Sequence, residues 1–463
     1  MSLQVERQVE DFYDREDKIY RSFWDSSGSL HWGYFDDLSE SDPACYPAAC
    51  QRWTDILLEK SALSPESNVL DVGCGNGNAS LYLAQRTGCE VTGIDLSGVR
   101  IANAEVEANR RRVRNIRFRQ ASASELPFDE GSFSHVWSQA TLYHVPDRER
   151  ALQEILRVLA EGGRIILDDL VTPSASVTDL ARRYVYDRLL FEPGPSHAEY
   201  KQLLRSAGFV VTADLDLTRH LRKSYELLIQ RARLSPNHTE AYAAVVKSID
   251  NGDVGWSAFT ADKVTDKLTW VYDGSTRAST EEKYDAWSET YDDDLADSYR
   301  PCPETAAAEL ASLVKDRGAR ILDVGAGTGM GGVALARHGF TNLTALDISS
   351  GMLEQARRKC VYRALVRHDL QQALPQQNGA TYEAALATGV FTFSHARPDA
   401  LTHIVNALAD GGVLTVTFRT DYLERTPEVD RTLQDLPLRL IASRPIQVFE
   451  GEPMVVQSFQ KSV

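Results

Sequence analysis

Two aspartates, Asp95 and Asp347, stand where a carboxylate could bind a ribose. Each ends a short apolar segment, 22 residues after the first glycine of a glycine-rich turn, Gly73 or Gly325. At the end of a second parallel strand, a carboxylate can accept hydrogen bonds from both hydroxyls of a nucleoside. The glycines permit positive φ and, because they lack Cβ, let backbone amides and a helix N-terminus approach a ligand closely. These residues predict a nucleoside-bearing cofactor.

The whole pattern occurs twice, because residues 69–97 recur as residues 321–349. Six positions are matched at a constant separation of 252 residues: Asp71, Gly73, Gly75, Gly77, Asp95 and Ser97 with Asp323, Gly325, Gly327, Gly329, Asp347 and Ser349. The apolar run before each turn is too short for an ordinary helix and suits a strand buried on both faces of a parallel sheet. A single copy could be a turn that only packs on a sheet, but two copies with the same spacing argue against that.

The spacing of the glycines decides which cofactor is expected. A dinucleotide site needs G-x-G-x-x-G, and the positions of its third glycine hold Asn78 and Met330. G-x-G-x-G after an aspartate in a first strand is the pattern of class I S-adenosylmethionine (SAM) dependent methyltransferases, and both halves resemble that family. The resemblance implies an α/β fold of two tandem, doubly wound, Rossmann-like domains, each with a mostly parallel seven-stranded sheet. It also implies that the repeated aspartates and glycines bind SAM.

The segment 6–37 before the first repeat is rich in aromatic residues that have no place in the sheet. It predicts either a lid over the cofactor end of the strands or an amphipathic helix packed on the domain. Tyr13-Asp14 followed by HWGYFDD is similar to the N-terminal segment of small-molecule methyltransferases that act on tocopherols, sugars of natural products, and sarcosine or dimethylglycine. In such enzymes this segment helps to close the SAM pocket.

Each half has a candidate for binding adenine after its third predicted strand. In the first half, ASASELPF places Ser122 where the family commonly has an aspartate for the adenine amino group. Serine can accept that hydrogen bond as a neutral group. In the second half, RRKCVYRALVRHDL resembles the methyltransferase-like proteins of the Williams-Beuren type, which implies that Asp369 holds adenine.

The candidate catalytic residues, His144 and Asp169, follow the fourth and fifth predicted strands of the first half. Ligands of open parallel sheets lie beyond the carboxyl ends of the strands. The resemblance to sugar O-methyltransferases implies that such a His and Asp lie near an acceptor hydroxyl, where His144 could take the proton as oxygen attacks the sulfonium methyl. The alternative is a hydrogen-bonded structural histidine, and one of Asp168 and Asp169 is expected to face away.

We expect the methyl acceptor to be surrounded by the aromatic segments, by an insertion at 172–208, and by the residues after two strands of the second half. These residues form the predicted acceptor wall. The second half contains His395 but no His-Asp pair like that of the first. The candidate substrate contacts are Tyr13, Trp32, Tyr34, Tyr143, Tyr184, Tyr284, Tyr291, Phe391 and Arg419.

Composition limits the partners. A formal net charge of -16 opposes a nucleic-acid backbone. Neither half has an N-P-P-Y or D-P-P-Y element to hold a flipped base, so we expect no nucleic-acid partner. No apolar run approaches the roughly 20 residues of a membrane span, and the N-terminus lacks the apolar core of a signal peptide, so we expect a cytoplasmic protein without a membrane partner. The six cysteines show neither a CxxC pair nor zinc spacing, which predicts reduced thiols and no metal.

We therefore expect a first domain at 1–272, a linker at 273–283 and a second domain at 284–463. The leading hypothesis is an enzyme whose two SAM-binding domains methylate a nitrogen or oxygen of a small metabolite in successive steps. Fusion would raise the local concentration of the first product at the second site. In the alternative, one half is a non-catalytic binding or docking module. The oligomeric state, the acceptor and the number of methyl groups stay open.

Overall fold

The computed structural model describes residue 24 and residues 31–233, 235–272, 279–295, 299–374, 381–449 and 452–462. The chain divides into two compact units, Met1–Thr265 and Asp266–Val463. The helix Thr280–Trp287 begins inside the segment 273–283 that we expected to be a linker, because Ser279 and Glu282 form a capping box at its first turn. The described part of that segment therefore belongs to the second unit.

The sheet of the first unit has seven strands in the order β3-β2-β1-β4-β5-β7-β6. The strands are β1 Asn68–Val72, β2 Glu90–Asp95, β3 Ile116–Gln120, β4 Phe133–Gln139, β5 Leu159–Val171, β6 Phe209–Asp216 and β7 Gly255–Lys263. Strands β1 to β5 pair in parallel, and β7 pairs antiparallel with both β5 and β6. The longer helices are Tyr46–Ser61, Asn78–Thr87, Gly98–Arg111, Arg148–Val158, His197–Ser206, Thr218–Arg231 and Pro236–Asp250.

The second unit repeats this topology with the order β10-β9-β8-β11-β12-β14-β13. Its strands are β8 Ile321–Val324, β9 Leu343–Asp347, β10 Ala364–Arg367, β11 Tyr382–Phe391, β12 Leu408–Arg419, β13 Leu438–Phe449 and β14 Glu452–Lys461. Its helices are Lys267–Tyr272, Thr280–Trp287, Tyr291–Asp294, Pro301–Leu313, Met330–Arg337, Ser350–Arg358, Ala400–Ala407, Thr420–Arg425 and Glu428–Asp435. The prediction of two tandem, mostly parallel seven-stranded domains is confirmed.

The central strands are apolar because both of their faces are covered. In β1, Val69 packs into one core cluster, whereas Leu70 and Val72 pack into another on the opposite face. In β8, Ile321 and Leu322 divide between two clusters in the same way. This is the burial expected of a parallel strand with helices on both sides.

The strand order creates a crevice in each unit. The chain runs outward from β1 through β2 to β3, then crosses back to place β4 on the other side of β1. At such a reversal, ligands bind outside the carboxyl ends of the strands. The reversal between β8 and β11 creates the same crevice in the second unit.

Two general expectations can be compared with the described residues. All six cysteines are free thiols. Among the helices in the described part of the chain, none is long and apolar enough to cross a bilayer.

Candidate active site

Asp95, the predicted ribose acid of the first unit, is held by two backbone amides. Gly75 N donates to Asp95 Oδ2 at 2.9 Å, and Ser97 N donates to Asp95 Oδ1 at 2.9 Å. The glycine turn needs its missing side chain, because Gly73 has φ +76° and a Cβ there would lie 2.2 Å from Thr141. Asp95 is therefore fixed at the end of β2, where its remaining lone pairs can accept hydrogen bonds.

Asp71 lies at the base of this turn. It is buried in β1, and the hydroxyl of Ser80 donates to its Oδ2 at 2.5 Å. Burial raises the pKa of Asp71 to about 7, against the lowering effect of the Ser80 hydrogen bond. Asp71 thus supports the turn from below.

A cavity of about 130 Å³ opens at the carboxyl ends of β1, β2 and β4. Of the predicted residues, its lining includes Asp71, Gly73, Gly75, Asp95, Ser122 and His144. Gly77 instead packs beneath the turn, where a Cβ would lie 2.7 Å from the ring of Phe118. The structure therefore brings the candidate ribose acid, adenine residue and catalytic histidine to one cavity.

His144 and Asp169 are joined through the backbone of a short 3-10 turn. The turn Leu142–His144 follows β4, and Tyr143 N donates to Asp169 Oδ1 at 3.0 Å. The hydroxyl of Tyr200 donates to Asp169 Oδ2, also at 3.0 Å. Asp169 therefore holds the turn that carries His144 into the cavity wall.

Burial changes the ionisation of both residues. It raises the pKa of Asp169 to about 7, while the Arg148 charge opposes that shift. It lowers the pKa of His144 to about 3, and the charges of Arg100 and Arg148 act in the same direction. His144 is accordingly a neutral imidazole near pH 7.

Asp168 points to the other face of β5. Its two oxygens accept hydrogen bonds from the indole N–H groups of Trp53 at 2.8 Å and Trp256 at 2.9 Å. Burial raises its pKa to about 6. Asp168 is therefore the member of the pair that faces away from the His144 turn.

The second unit has the same contacts around its predicted ribose acid, Asp347. Gly327 N donates to Asp347 Oδ2 at 2.8 Å, and Ser349 N donates to Asp347 Oδ1 at 2.9 Å. Burial raises the pKa of Asp347. Under the turn, Asp323 accepts a hydrogen bond from the Tyr362 hydroxyl at 2.5 Å, and burial raises its pKa to about 7.

A cavity of about 240 Å³ lies over this second site. Of the predicted residues, its lining includes Gly325, Gly327, Asp347, Asp369, Tyr284 and Tyr291. Gly329 lies next to Tyr362, whose ring would be 2.9 Å from an added Cβ. The second half thus has its own cavity with a ribose acid and a candidate adenine residue.

Comparison with known proteins identifies the family. Residues 70–167 and residues 321–412 each match a family model described as a methyltransferase domain. The chain is 35% identical over 225 residues to methyltransferase GfsG of Streptomyces halstedii, across 47% of this chain and 77% of that protein. The chain belongs to the SAM-dependent methyltransferases.

This methyltransferase is also similar to enzymes of different acceptor chemistry. It is 32% identical over 224 residues to 27-O-demethylrifamycin SV methyltransferase of Amycolatopsis mediterranei, across 47% of this chain and 79% of that enzyme. It is 31% identical over 224 residues to sarcosine/dimethylglycine N-methyltransferase of Halorhodospira halochloris, across 46% of this chain and 76% of that enzyme. Among solved structures, geranyl diphosphate C-methyltransferase of Streptomyces coelicolor A3(2) aligns with 55% of this chain and 98% of its own, at 20% identity and a TM-score of 0.47.

The cofactor of the methyltransferase is SAM, and the described residues fit it. The glycines of each turn let backbone amides approach a ligand closely. Each predicted ribose acid is already oriented by one amide of the turn and by one amide that follows its own strand. Asp95 and Asp347 would hold the ribose, with Ser122 and Asp369 near the base. When bound, SAM supplies a methyl group on a positively charged sulfur.

Several predicted substrate residues of the methyltransferase lie outside the two cavity linings. Tyr13 is outside the described residues. Trp32 is buried and packs edge-on against Trp256, with ring centroids 5.5 Å apart. Tyr34 stacks on His220 at a centroid distance of 4.1 Å. The aromatic residues of 31–35 pack on the domain core but form no helix, and His31 beside them lines the cavity. The lid and the amphipathic helix both stay predictions for the segment 6–37.

The remaining candidates also lie outside the two cavity linings, either packed in the interior or near the surface. Tyr143 packs against Phe191 at 4.8 Å, and the Tyr184 hydroxyl donates to exposed Glu240 at 2.6 Å. In the second unit, Phe391 is buried in the core. Arg419 donates to both oxygens of Asp421, at 3.0 and 2.9 Å.

The structure also adds cavity residues that were not among the predicted site residues. In the first unit these are His31, Asn76, Arg100, Gln139 and Thr141, and in the second Thr280, Tyr299, His368 and His395. Gln139 is the last residue of β4 and Thr141 lies two residues after it, so their position at the carboxyl end of a strand was an available signal. Arg100 carried no such signal, because a buried arginine in a helix looks like part of an ordinary amphipathic surface.

Proposed function

We propose that this protein is a bifunctional methyltransferase in which each half binds its own SAM. The two halves transfer methyl groups to a nitrogen or oxygen of a small metabolite in successive steps. The observation that carries this proposal is the repeated ribose site, in which Asp95 and Asp347 each accept hydrogen bonds from two backbone amides of their own unit. A half that had lost its cofactor would have no need to keep that geometry.

The acceptor class follows from the relatives. Their names include O-methyltransferases and N-methyltransferases of small molecules. The proposed acceptor is accordingly a natural product or a betaine-type amine, bound at the carboxyl ends of the strands.

His144 is the proposed proton acceptor in the first half. It lines the cofactor cavity, and its imidazole is neutral near pH 7, with a lone pair that can receive a proton from an acceptor oxygen. Because burial lowers its pKa to about 3, His144 is a weak base here, and its contribution as a proton acceptor is small beside the positioning of the acceptor. Asp169 keeps His144 in place through the amide of Tyr143. Since methyl transfer is an in-line displacement, holding the acceptor in position and excluding water supply most of the rate enhancement.

Calorimetric titration with S-adenosylhomocysteine tests the proposal. The parent protein should bind two equivalents, and Asp95→Ala and Asp347→Ala should each reduce this to one. We expect at least roughly 100-fold weaker binding at the altered site, because hydrogen bonds to a charged group are lost from two hydroxyls. Asp36→Ala and Asp410→Ala, at exposed aspartates, are the controls. A parent stoichiometry of one or zero contradicts the proposal.

Product analysis tests whether both halves are catalytic. The parent and the two ribose-acid variants are incubated with methyl-labelled SAM and a small-molecule extract, and products are identified by mass spectrometry. Successive action predicts that one variant accumulates a product with fewer methyl groups than the parent makes. Identical products from the parent and Asp347→Ala would instead favour a second half that only binds.

A further inference from the structure

A Tyr-Asp pair occurs twice within residues 280–294 of the second unit, which we call the lid segment. Tyr284 and Asp285 lie on the helix Thr280–Trp287, and Tyr291 and Asp292 begin the helix Tyr291–Asp294. Both tyrosines line the cofactor cavity. Both aspartates instead contact the elements that form the ribose site.

Asp285 binds the element that follows the ribose acid. Its Oδ1 accepts hydrogen bonds from Gly351 N at 2.7 Å and from the Ser349 hydroxyl at 2.5 Å. Ser349 is also the residue whose amide holds Asp347. A negative charge here lies at the N-terminus of the helix Ser350–Arg358, where unpaired amides and the helix dipole favour it.

Gly351 allows this contact to form. A Cβ at Gly351 would lie 2.7 Å from the Ser288 hydroxyl and 3.1 Å from the Asp285 carbonyl oxygen. A side chain at this position would require the Ser288 hydroxyl and the Asp285 backbone to shift. Gly351 therefore permits the close packing of the helix Thr280–Trp287 against the helix Ser350–Arg358.

Asp292 binds the glycine turn itself. Its Oδ1 accepts a hydrogen bond from the hydroxyl of Thr328, which lies between Gly327 and Gly329 and is buried. Its Oδ2 pairs with Lys359 Nζ at 2.5 Å. The helix Tyr291–Asp294 is thus attached to the glycine turn, whereas the helix Thr280–Trp287 is attached to the residues that follow Asp347.

The two tyrosines are held in the cavity wall. The Tyr284 hydroxyl contacts His395 Nε2 at 2.5 Å, while His395 Nδ1 lies 2.7 Å from the Phe393 carbonyl oxygen. Tyr291 packs edge-on against Trp287, with centroids 4.7 Å apart. Burial raises the pKa of both phenols, and the nearby Asp347 charge adds to the effect, so both stay protonated.

We propose that Asp285 and Asp292 are positioning residues that fasten the lid segment to the ribose site, so that Tyr284 and Tyr291 retain the cofactor in the second half. This rests on the proposed function, in which the second half binds SAM. Each aspartate acts through the tyrosine that precedes it. Losing either contact should let the cofactor escape faster while leaving the ribose site intact.

Dissociation of S-adenosylhomocysteine provides the test. All variants carry Asp95→Ala, which confines binding to the second half, and release is followed by stopped-flow displacement. Asp285→Asn and Asp292→Asn should each raise the dissociation rate roughly tenfold with little change in the association rate, because each loses part of a charge-assisted contact. Asp293→Asn, at the exposed neighbour, should match the parent.

A double-mutant cycle separates positioning from a general loss of folding. If Asp285 acts through Tyr284, adding Asp285→Asn to Tyr284→Leu should increase the dissociation rate by much less than tenfold. Additive effects, or dissociation rates equal to that of Asp293→Asn, contradict the proposal. Thr328→Val removes one of the two partners of Asp292 and leaves the residues of the lid segment unchanged. It should raise the dissociation rate in the same direction as Asp292→Asn, which provides the test if Asp292→Asn folds poorly.

Failure of the proposed function would look different. A parent that binds no S-adenosylhomocysteine in its second half contradicts both the proposed function and the fastening role. A parent that binds normally, with variants that release at the parent rate, contradicts the fastening role alone.

Discussion

The two ribose sites have the same backbone contacts but rest on different side chains. In the first unit, Asp71 accepts a hydrogen bond from the hydroxyl of Ser80, which lies on the helix after the turn. In the second unit, the position that matches Ser80 is Gly332, and Asp323 accepts its hydrogen bond from the hydroxyl of Tyr362, in the segment before β10. A Cβ at Gly332 would lie 2.2 Å from the Tyr362 hydroxyl, so the missing side chain makes room for the tyrosine.

A second exchange occurs between the neighbouring strands. Gly93 pairs with Phe118 in the first sheet, and a Cβ on Gly93 would lie 2.6 Å from that ring. The corresponding pair in the second sheet is Ala345 with Leu365. A smaller residue on one strand is therefore matched by a larger one on the next, as expected where total core volume is maintained.

These differences show which part of the site is constrained. The ribose acid and the glycine turn are constrained by backbone geometry, which the same residues provide in both units. Beneath each glycine turn, two requirements remain: a hydroxyl must donate to the buried aspartate, and the core must be filled. Different residues can meet these requirements in the two units.

The acceptor walls differ more than the ribose sites do. In the first unit His144 stands on a turn held by the buried acid Asp169. In the second, His395 contacts Tyr284 of the lid segment. The two halves are thus alike around Asp95 and Asp347 and different around His144 and His395.

The largest expected effect is on the pH dependence of stability, and it should be equal in the two units. The native pKa of Asp71 and Asp323 is about 7, above the usual value in an unfolded chain. Between about pH 4 and about pH 7, the native protein therefore keeps protons that the unfolded chain loses. The free energy of unfolding falls as the pH rises through this range, by at most about 4 kcal/mol for each carboxyl group. Above about pH 7 it no longer changes through these groups.

Asp71→Asn and Asp323→Asn should each flatten this slope by one proton, because an amide does not titrate in this range. The amide oxygen can still accept the hydrogen bond from the Ser80 or Tyr362 hydroxyl. Urea unfolding at several pH values measures the slope. Asp36→Asn, at an exposed site, should leave it unchanged. A slope unaltered by Asp71→Asn would show that this carboxyl is ionised in the native state.

A smaller effect is expected from filling the first glycine position. Gly73 and Gly75 both have positive φ, but a Cβ on Gly73 would lie 2.2 Å from Thr141, whereas on Gly75 the nearest atom is 3.7 Å away, in Arg100. We expect Gly73→Ala to lower the free energy of unfolding by about 3 kcal/mol and Gly75→Ala to lower it by about 1 kcal/mol. Urea unfolding measures both values.

The same contrast should appear in the second unit if the two turns are equivalent. A Cβ on Gly325 would lie 2.5 Å from Val390, and on Gly327 it would meet nothing within 4 Å. Gly325→Ala should therefore lower the free energy of unfolding more than Gly327→Ala does. Equal decreases for these two variants would show that the two turns are not equivalent.

The smallest effect should come from the supporting hydroxyls, and it should differ between the units. Ser80→Ala leaves Asp71 without that donor and should cost about 1 kcal/mol, while Tyr362→Phe should cost about 2 kcal/mol, because the hydroxyl also accepts from Gly332 N at 3.1 Å. Thermal unfolding of the two variants measures the difference. A larger cost for Ser80→Ala would contradict the interpretation of Tyr362.

Much of the ribose site could be predicted because it is local. Gly75 and Asp95 meet since β1 and β2 are consecutive, parallel and paired in register, so a fixed spacing along the chain becomes a fixed distance in the fold. The positive φ of the turn is likewise a property of glycine itself. The same reasoning placed His144 at the cavity, because it follows β4 at the crevice.

The aromatic residues were harder to place from sequence. Trp32 and Phe391 are buried, and Tyr184 is at the surface, although all three are the residue type that lines acceptor sites. Aromatic side chains fill cores as readily as they line pockets, so their type alone does not decide between the two.

The sequence alone determined the duplicated fold, the cofactor class and the position of Asp95 and Asp347 at the ends of their strands, because these depend on glycine conformation and on the spacing of adjacent strands. Only the tertiary structure decided that Asp169 supports His144, that Tyr362 replaces Ser80, and that Asp285 meets Ser349. Those contacts join elements distant in sequence, and their partners are set by how helices and loops pack over the strand ends.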